Sequence, residues 1–111
     1  MAVPHDQTGG DHSLFVVTSE LRVRPEGVGG LTAAFRDRIG LVDHWPGFER
    51  LEVWHDERDP QRFVMTSWWS GADEFRGYMQ SDEHRRSHDR IPGGLDRPRA
   101  VAVRRHRVVS T

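Results

Sequence analysis

Histidines 84 and 88 stand four residues apart in FRGYMQSDEHRRSHDRIPGG, residues 75–94. Imidazole is the side chain best suited to ligating a metal or moving a proton near neutral pH. On a helix that spacing places both on one stripe with Arg85. His88 is then either a ligand reaching into a pocket or a solvated helix-end residue, favoured near the C-terminal dipole by about 0.3–1 kcal/mol when protonated. The His84–His88 pair could also grip a metal such as zinc from one helix face. The metalloprotease pattern HExxH fails, because Arg85 stands where its glutamate belongs. Tyr78 offers a phenol for hydrogen bonding or proton transfer, with Trp68 or Trp69 as a stacking wall. Equally, it is a helix aromatic with its ring in the core. Ser19 can bond a ligand or nearby backbone, and no adjacent base or nucleophile elbow makes it a hydrolase nucleophile. PEGVGG at 25–30 falls short of a dinucleotide-binding glycine pattern.

Composition bounds what these residues can be part of. The chain has 111 residues and a formal net charge of -1, which predicts one small domain with no basic field for nucleic acid. There are no cysteines, so thiolate catalysis, disulfides and Cys-ligated metals are excluded. Any metal must be held by His, Asp, Glu or Tyr. Apolar residues make up 35% of the chain, and a core that modest is commonly completed by a second subunit. No apolar run approaches a membrane span or a signal peptide, which predicts a soluble, cytoplasmic protein.

The elements that must position the candidates follow from periodicity. Residues 1–12 are polar and Gly-rich, and they read as a mobile tail ahead of a single domain over 13–111. LFVVTSELRV alternates Phe15, Val17, Ser19, Leu21 and Val23 against Leu14, Val16, Thr18, Glu20 and Arg22, a strand covered on both faces. LTAAFRDRIGLV, residues 31–42, carries Leu31, Phe35 and Ile39 at helical spacing. Two strand-like runs, 48–55 and 62–69, flank the turn DERDPQ. Ser70 and Asp73 resemble a capping box for a helix with Ala72, Phe75 and Met79 on one face. Ser81 caps a second short helix that Pro92 and Gly93-Gly94 end. RAVAVRRHRVVS closes the chain as a strand. The order βαββαβ is the ferredoxin-like α+β arrangement, an antiparallel four-stranded sheet with helices on one face. The other face would carry Val16, Val64, Trp68 and Val101, too much bare apolar surface for a soluble monomer. A homodimer with sheets face to face is the expectation, with most of Trp45, Trp54, Trp68 and Trp69 in the core or interface and one lining a pocket.

WPGF at 45–48, FVMTSWWS leading into DEFRGYMQSDEHRRSH, and the short final strand resemble the antibiotic biosynthesis monooxygenase superfamily, over essentially Leu14 to Val109. The resemblance implies an oxidoreductase built as a dimeric α+β barrel, binding a small molecule and neither nucleic acid nor membrane. One branch oxygenates phenols and anthrones of the aromatic polyketide type without a cofactor, using Trp, Tyr, Asn and Arg contacts. Another, the IsdG-like haem-degrading monooxygenases, ligates haem iron through a helix His, with an Asn and a Trp positioning the porphyrin.

The block F..Y..SD.....H is similar to that second branch and implies His88 as the iron ligand. Tyr78 stands where that branch has Trp and Ser19 where it has Asn, so the groups that crowd the ring differ in size or polarity. The implied pocket is walled by Phe15, Val17, Ser19 and Leu21 from the first strand and by Phe35 and Ile39 from the first helix. Arg22 or Arg86 would meet propionates at its mouth. The leading expectation is a haem-binding monooxygenase with Ser19, Tyr78 and His88 in the site. The rival is a cofactor-free monooxygenase that orients its substrate with Tyr78, Trp68 or Trp69 and an Arg. A non-catalytic ligand-binding dimer is the third.

Overall fold

β-Branched and aromatic residues dominate both FVVTSELR and RFVMTSWW, and these form the two central strands of an antiparallel sheet. The computed structural model describes residues 14–37, 40–89 and 99–111. Along the chain run β1 (Phe15–Arg22), α1 (Val28–Arg36), β2 (Phe48–His55), β3 (Arg62–Trp69), α2 (Ala72–Met79), α3 (Asp82–Asp89) and β4 (Arg99–Arg107). The strand order β2-β3-β1-β4 is the ferredoxin-like arrangement expected from the sequence. β2 and β3 span 48–55 and 62–69 as alternation predicts. The expected tail over 1–12 and the stop at Pro92 and Gly93-Gly94 lie outside the described residues.

The hairpin turn between β2 and β3 is built by one carboxylate. Asp56 accepts the backbone N–H groups of Arg58 at 2.8 Å and Asp59 at 2.9 Å. The Arg62 guanidinium then bridges Asp56 and Glu20, each at 3.0 Å, tying the turn to the middle of the sheet. Hydrogen bonding from Arg62 holds the Glu20 carboxyl below the usual range, and backbone donors do the same for Asp56.

Helix boundaries differ from the periodicity in instructive ways. The helix expected over 31–42 begins at Val28 and ends at Arg36. The 3-10 turn Pro25–Gly27 runs directly into its first turn, which contributes no apolar period to the sequence. Downstream, Gly40 takes a left-handed φ of 75° ahead of a separate 3-10 turn over Leu41–His44. The capping box at Ser70 does not form: Gly71 is the N-cap, with no side-chain cap bond. Ser70 instead donates its N–H to the Gly47 carbonyl at 2.7 Å, while Asp73 pairs with Arg76. Ser81 does cap α3, accepting the His84 N–H at 3.1 Å. Phe75 and Tyr78 form the buried stripe of α2, whereas Met79 is exposed.

α1 and α2 lie over the odd-numbered face of β1, and α3 packs on α2 and on the 3-10 turn over Leu41–His44. Val17, Val42, Trp69, Phe75 and Tyr78 form one core cluster, edged by Phe15, Trp45 and Phe48. Val23, Leu31 and Phe63 form a second, edged by Leu21, Val28, Phe35 and Val53. The even face carries Val16 opposite Trp68 and Glu20 opposite Val64, with no helix upon it among the described residues. There the Arg50 guanidinium lies 4.0 Å above the Trp68 ring. Val101 falls at a register shift in the β1–β4 pairing. None of the described helices is long and apolar enough to cross a membrane.

Two outcomes follow from this packing. Trp69, 2% exposed, is predicted to cost about 3–5 kcal/mol on truncation to Ala, read by denaturant unfolding; a loss below ~1 kcal/mol would show that the cluster does not hold the fold. Because the folded carboxyls of Glu20 and Asp56 are depressed, their contribution is present above the ordinary carboxylate range and is lost as pH falls through the lowered values. Arg62→Gln should therefore flatten the acid limb of stability against pH, and an unchanged slope would count against the Arg62 bridge.

Candidate functional site

The helix-covered face of the sheet is filled unevenly. Phe15 and Val17 enter the first cluster and Leu21 the second, which leaves Ser19 between them, paired to Met65 on β3 and to Val103 on β4. Side chains alternate along a strand, so Val103, Arg105 and Arg107 stand on the same face as Ser19, Val17 and Phe15, their partners in register. Among the described residues no helix covers that outer strip, and Val103 is 59% exposed. The Arg105 guanidinium lies 6.0 Å from the centroid of the Phe75 ring. The helix-side face of β4 thus carries exposed Val103, Arg105 and Arg107 beside the hydroxyl-bearing Ser19 of β1.

Tyr78 anchors the helical wall. It is 6% exposed and touches three rings: Trp45 edge-on at 5.6 Å, Trp69 at 5.6 Å and His84 edge-on at 5.3 Å. The phenol reading expected from the sequence thus meets a ring locked in the core, and the third contact sets the packing of α3 against α2. His88 lies in α3, one turn beyond His84; its side chain, like all of Ile39, is outside the described residues. Arg86 is exposed on the same helix.

Three expected site residues are placed apart from Ser19. Arg22 belongs to the even face and is bound at 2.7 Å by Asp59, so it does not face the Ser19 side. Trp68 is on that even face as well, while its neighbour Trp69 is buried and donates its indole N–H to Ser67 at 2.9 Å. Adjacent tryptophans in a strand must part in this way, and only Trp69 can meet Tyr78. Phe35 has moved toward the other edge of the sheet. It packs on Phe63 at 6.0 Å and lines a shallow hollow of about 220 Å³ with Leu51, Val53 and His55. There His55 stacks flat on Phe63 at 4.3 Å and donates Nε2–H to the Pro60 carbonyl at 2.7 Å. The wall expected from Phe15 to Phe35 is therefore divided between two clusters, with Ser19 at the junction.

Val103 and Arg105 were not among the sequence candidates. Alternation in RAVAVRRHR would have put them on one face, but which face of which neighbour depends on a register that no local pattern encodes. Among the described residues, no group of three or more His, Cys, Asp or Glu side chains could hold a metal ion.

An antiparallel ferredoxin-like sheet with an open strip beside split helices defines a class, and sequence comparison specifies it. Residues 14–90 match the family model described as Antibiotic biosynthesis monooxygenase, and the chain belongs to that family, an oxidoreductase. Among its relatives is a heme oxygenase (staphylobilin-producing) of Staphylococcus saprophyticus, 30% identical over 78 residues, which span 68% of this chain and 74% of the relative. A protein of the same description from Staphylococcus epidermidis is 28% identical over 87 residues, covering 77% and 83%. In structure the chain is similar to a conserved protein from Methanosarcina mazei Go1, with a TM-score of 0.70 at 16% identity over 86% of this chain and 93% of that one. It is also similar to an antibiotic biosynthesis monooxygenase with a TM-score of 0.61 at 14% identity, covering 88% and 98%. At those identities the structural likeness speaks to the fold.

If Tyr78 acts through its ring, Tyr78→Phe keeps stability within ~1 kcal/mol and leaves ligand binding near wild type, while Tyr78→Ala costs about 3–5 kcal/mol. Thermal unfolding and ligand titration of both variants check this; loss of binding in a stably folded Tyr78→Phe would return the hydroxyl to the chemistry.

Proposed function

We propose that this chain is a homodimeric haem-binding monooxygenase that oxidises haem as its substrate, with His88 as the axial ligand. The observation that carries the proposal is the helix-side strip of β1 and β4, where exposed Val103 and the hydroxyl residue Ser19 lie next to Arg105 and Arg107, a combination suited to a flat apolar ring with acid groups on one edge. His84, one turn before His88, is held against Tyr78, which fixes the start of α3 against α2. A neutral imidazole is a good iron ligand, and the similarity to two staphylobilin-producing heme oxygenases supports haem over other flat ligands.

Monooxygenation places one atom of O2 in the substrate and reduces the other to water, with two electrons and two protons from an external reductant. The protein's part is to bind, orient and exclude water. Ser19 would offer a short hydroxyl from the sheet to a bound ring, and the cluster around Trp69 keeps the helical wall rigid. The cofactor-free reading needs Tyr78 as an accessible phenol, and its burial among Trp45, Trp69 and His84 counts against that role.

The even face supports dimerisation. Trp68, Val16 and Val64 share it and no helix covers it among the described residues; Val16, expected to be bare, is already 8% exposed, Trp68 and Val64 are half-buried, and Trp54 beside them is 47% exposed, so the surface left for a partner is chiefly indole. A second copy would bury this surface. Sedimentation analysis should give twice the chain mass for the wild type and a shift to monomer for Trp68→Glu; a monomeric wild type would remove the dimer.

Hemin titration tests the chemistry. A saturable Soret shift is expected that disappears in His88→Ala, followed by loss of Soret absorbance when reductant and oxygen are added. An unchanged spectrum at stoichiometric hemin would remove haem from the reading. Retained Soret intensity during reduction in air would leave a binding protein without turnover, and oxygen uptake with an anthrone would then favour the cofactor-free enzyme.

A further inference from the structure

We propose that Arg105 and Arg107 form a carboxylate clamp on the helix-side face of the edge strand β4, selecting planar ligands that carry two acid groups on one side. The proposal deepens the haem reading and rests on it for the ligand's identity, though not for the chemistry of the site. Both arginines follow Val103 on β4, opposite Val17 and Phe15 of β1. Two residues apart on one strand, their side chains leave the same face roughly 6–7 Å from each other. That spacing lets each guanidinium take one of two neighbouring carboxylates.

Position separates them from the other unpaired arginines among the described residues, such as Arg24, Arg36 and Arg58, none of which lies on β4. Arg22, Arg50, Arg62, Arg76 and Arg85 each pair with a carboxylate, and Arg50 also lies on Trp68. No carboxylate among the described residues pairs with Arg105 or Arg107, and both are exposed. Arg104, between them and Val103, points to the other face, where Glu20 feels its charge. The strand thus sends two unneutralised cations to the helical side and a partly neutralised one to the opposite side. Arg105 is further fixed by the Phe75 ring beneath it, 6.0 Å away, which aligns a planar donor fork next to an apolar ring. A ligand with an apolar body meets Val103 and Phe75 while its acids meet the forks, and guanidinium–carboxylate pairing is planar and bidentate. Of the two residues that charge alone nominated for this role, Arg22 is on the wrong face and already bound by Asp59, and Arg86 lies exposed on α3.

The test uses metal-free protoporphyrin IX, its dimethyl ester and hemin, each titrated into the full-length protein by fluorescence quenching or absorbance. The wild type is expected to bind the free diacid about tenfold or more tightly than the diester, the order of one to two charge-assisted bonds. In R105Q/R107Q that preference should fall to within about twofold, with an unchanged melting curve and circular dichroism spectrum. Arg58→Gln, which removes an equal charge at the β2–β3 turn, should keep the preference near the wild-type value. As a measurement independent of any substitution, the preference should shrink as salt rises, because exposed pairs are screened over a ~10 Å Debye length at 0.1 M. A wild type without preference, or a double variant that retains it, would overturn the clamp, even where hemin gives its His88-dependent Soret shift and the haem reading stands. If instead hemin gives no such shift while the arginine-dependent preference for the diacid persists, iron ligation fails and the clamp stands. Absence of binding by both porphyrins would overturn the two together.

Discussion

The burial of Trp69 is the constraint on which the rest of this molecule depends. Its ring meets Phe48 edge-on at 5.4 Å, Phe75 at 5.5 Å and Tyr78 at 5.6 Å, so one side chain of β3 holds the edge strand β2 and the helix α2 at once. Each such aromatic pair adds about 0.5–1.5 kcal/mol beyond the area it buries. The indole N–H, which would be costly to bury alone, finds Ser67 two residues back on the same face; without that hydroxyl the burial would leave an unpaired donor. Through Tyr78 the same cluster reaches His84, and so the start of α3 is positioned from the middle of the sheet.

Packing on that side explains where space is left. The two core clusters take Val17 at one end of β1 and Val23 at the other, and both lean toward β3. Among the described residues β4 contributes to neither. The described helices cover mainly the β2 and β3 half of the sheet, which leaves Val103, Arg105 and Arg107 of β4 exposed, and Ser19, small and polar, stands at the border. A large apolar residue at 19 would join the clusters and crowd the strip. A residue that is weak as core is what keeps the strip available.

Much of this was legible in the sequence. Alternation fixed which residues of β1 share a face, and the bounds of β2 and β3 follow directly from β-branched and aromatic runs bounded by Asp, Pro and Gly. The order βαββαβ, and with it the sheet, comes from those runs alone. Other features depended on information that no local window holds. Trp68 and Trp69 look equivalent as residues, yet the pleat sends one to the Arg50 side and the other to the core. Arg22 carries the right charge for a ligand contact, but Asp59 claims it across the hairpin. The capping role was given to Ser70 on pattern, whereas the sharp turn at Gly47, with φ of 86°, takes the Ser70 backbone for its own closure. Phe35 has the spacing of a pocket wall and is drawn instead to Phe63. In each case a long-range partner outbids the local pattern.

The two faces of the sheet also obey different rules, and that difference bears on function. On the helical side, within the two core clusters, polar groups are few and satisfied, as Ser67 is by Trp69, and the charged residues keep to the edge strand β4. On the even side the polar groups form a connected lattice: Glu20 and Asp56 on Arg62, Arg22 on Asp59, Thr18 with His106 at 3.1 Å. Within it Thr66 is buried at 1% exposure with its Oγ1 lacking a partner, a position that costs stability in an isolated chain. A face that is neither dry core nor simple solvated surface, holding exposed indole beside ordered ion pairs, has the mixed character of a surface that meets another protein. The helical face, with its open strip along β4, has the character of one that meets a flat ligand. A single strand, β1, separates the two, and its strict alternation lets one sequence serve both without either set of side chains intruding on the other.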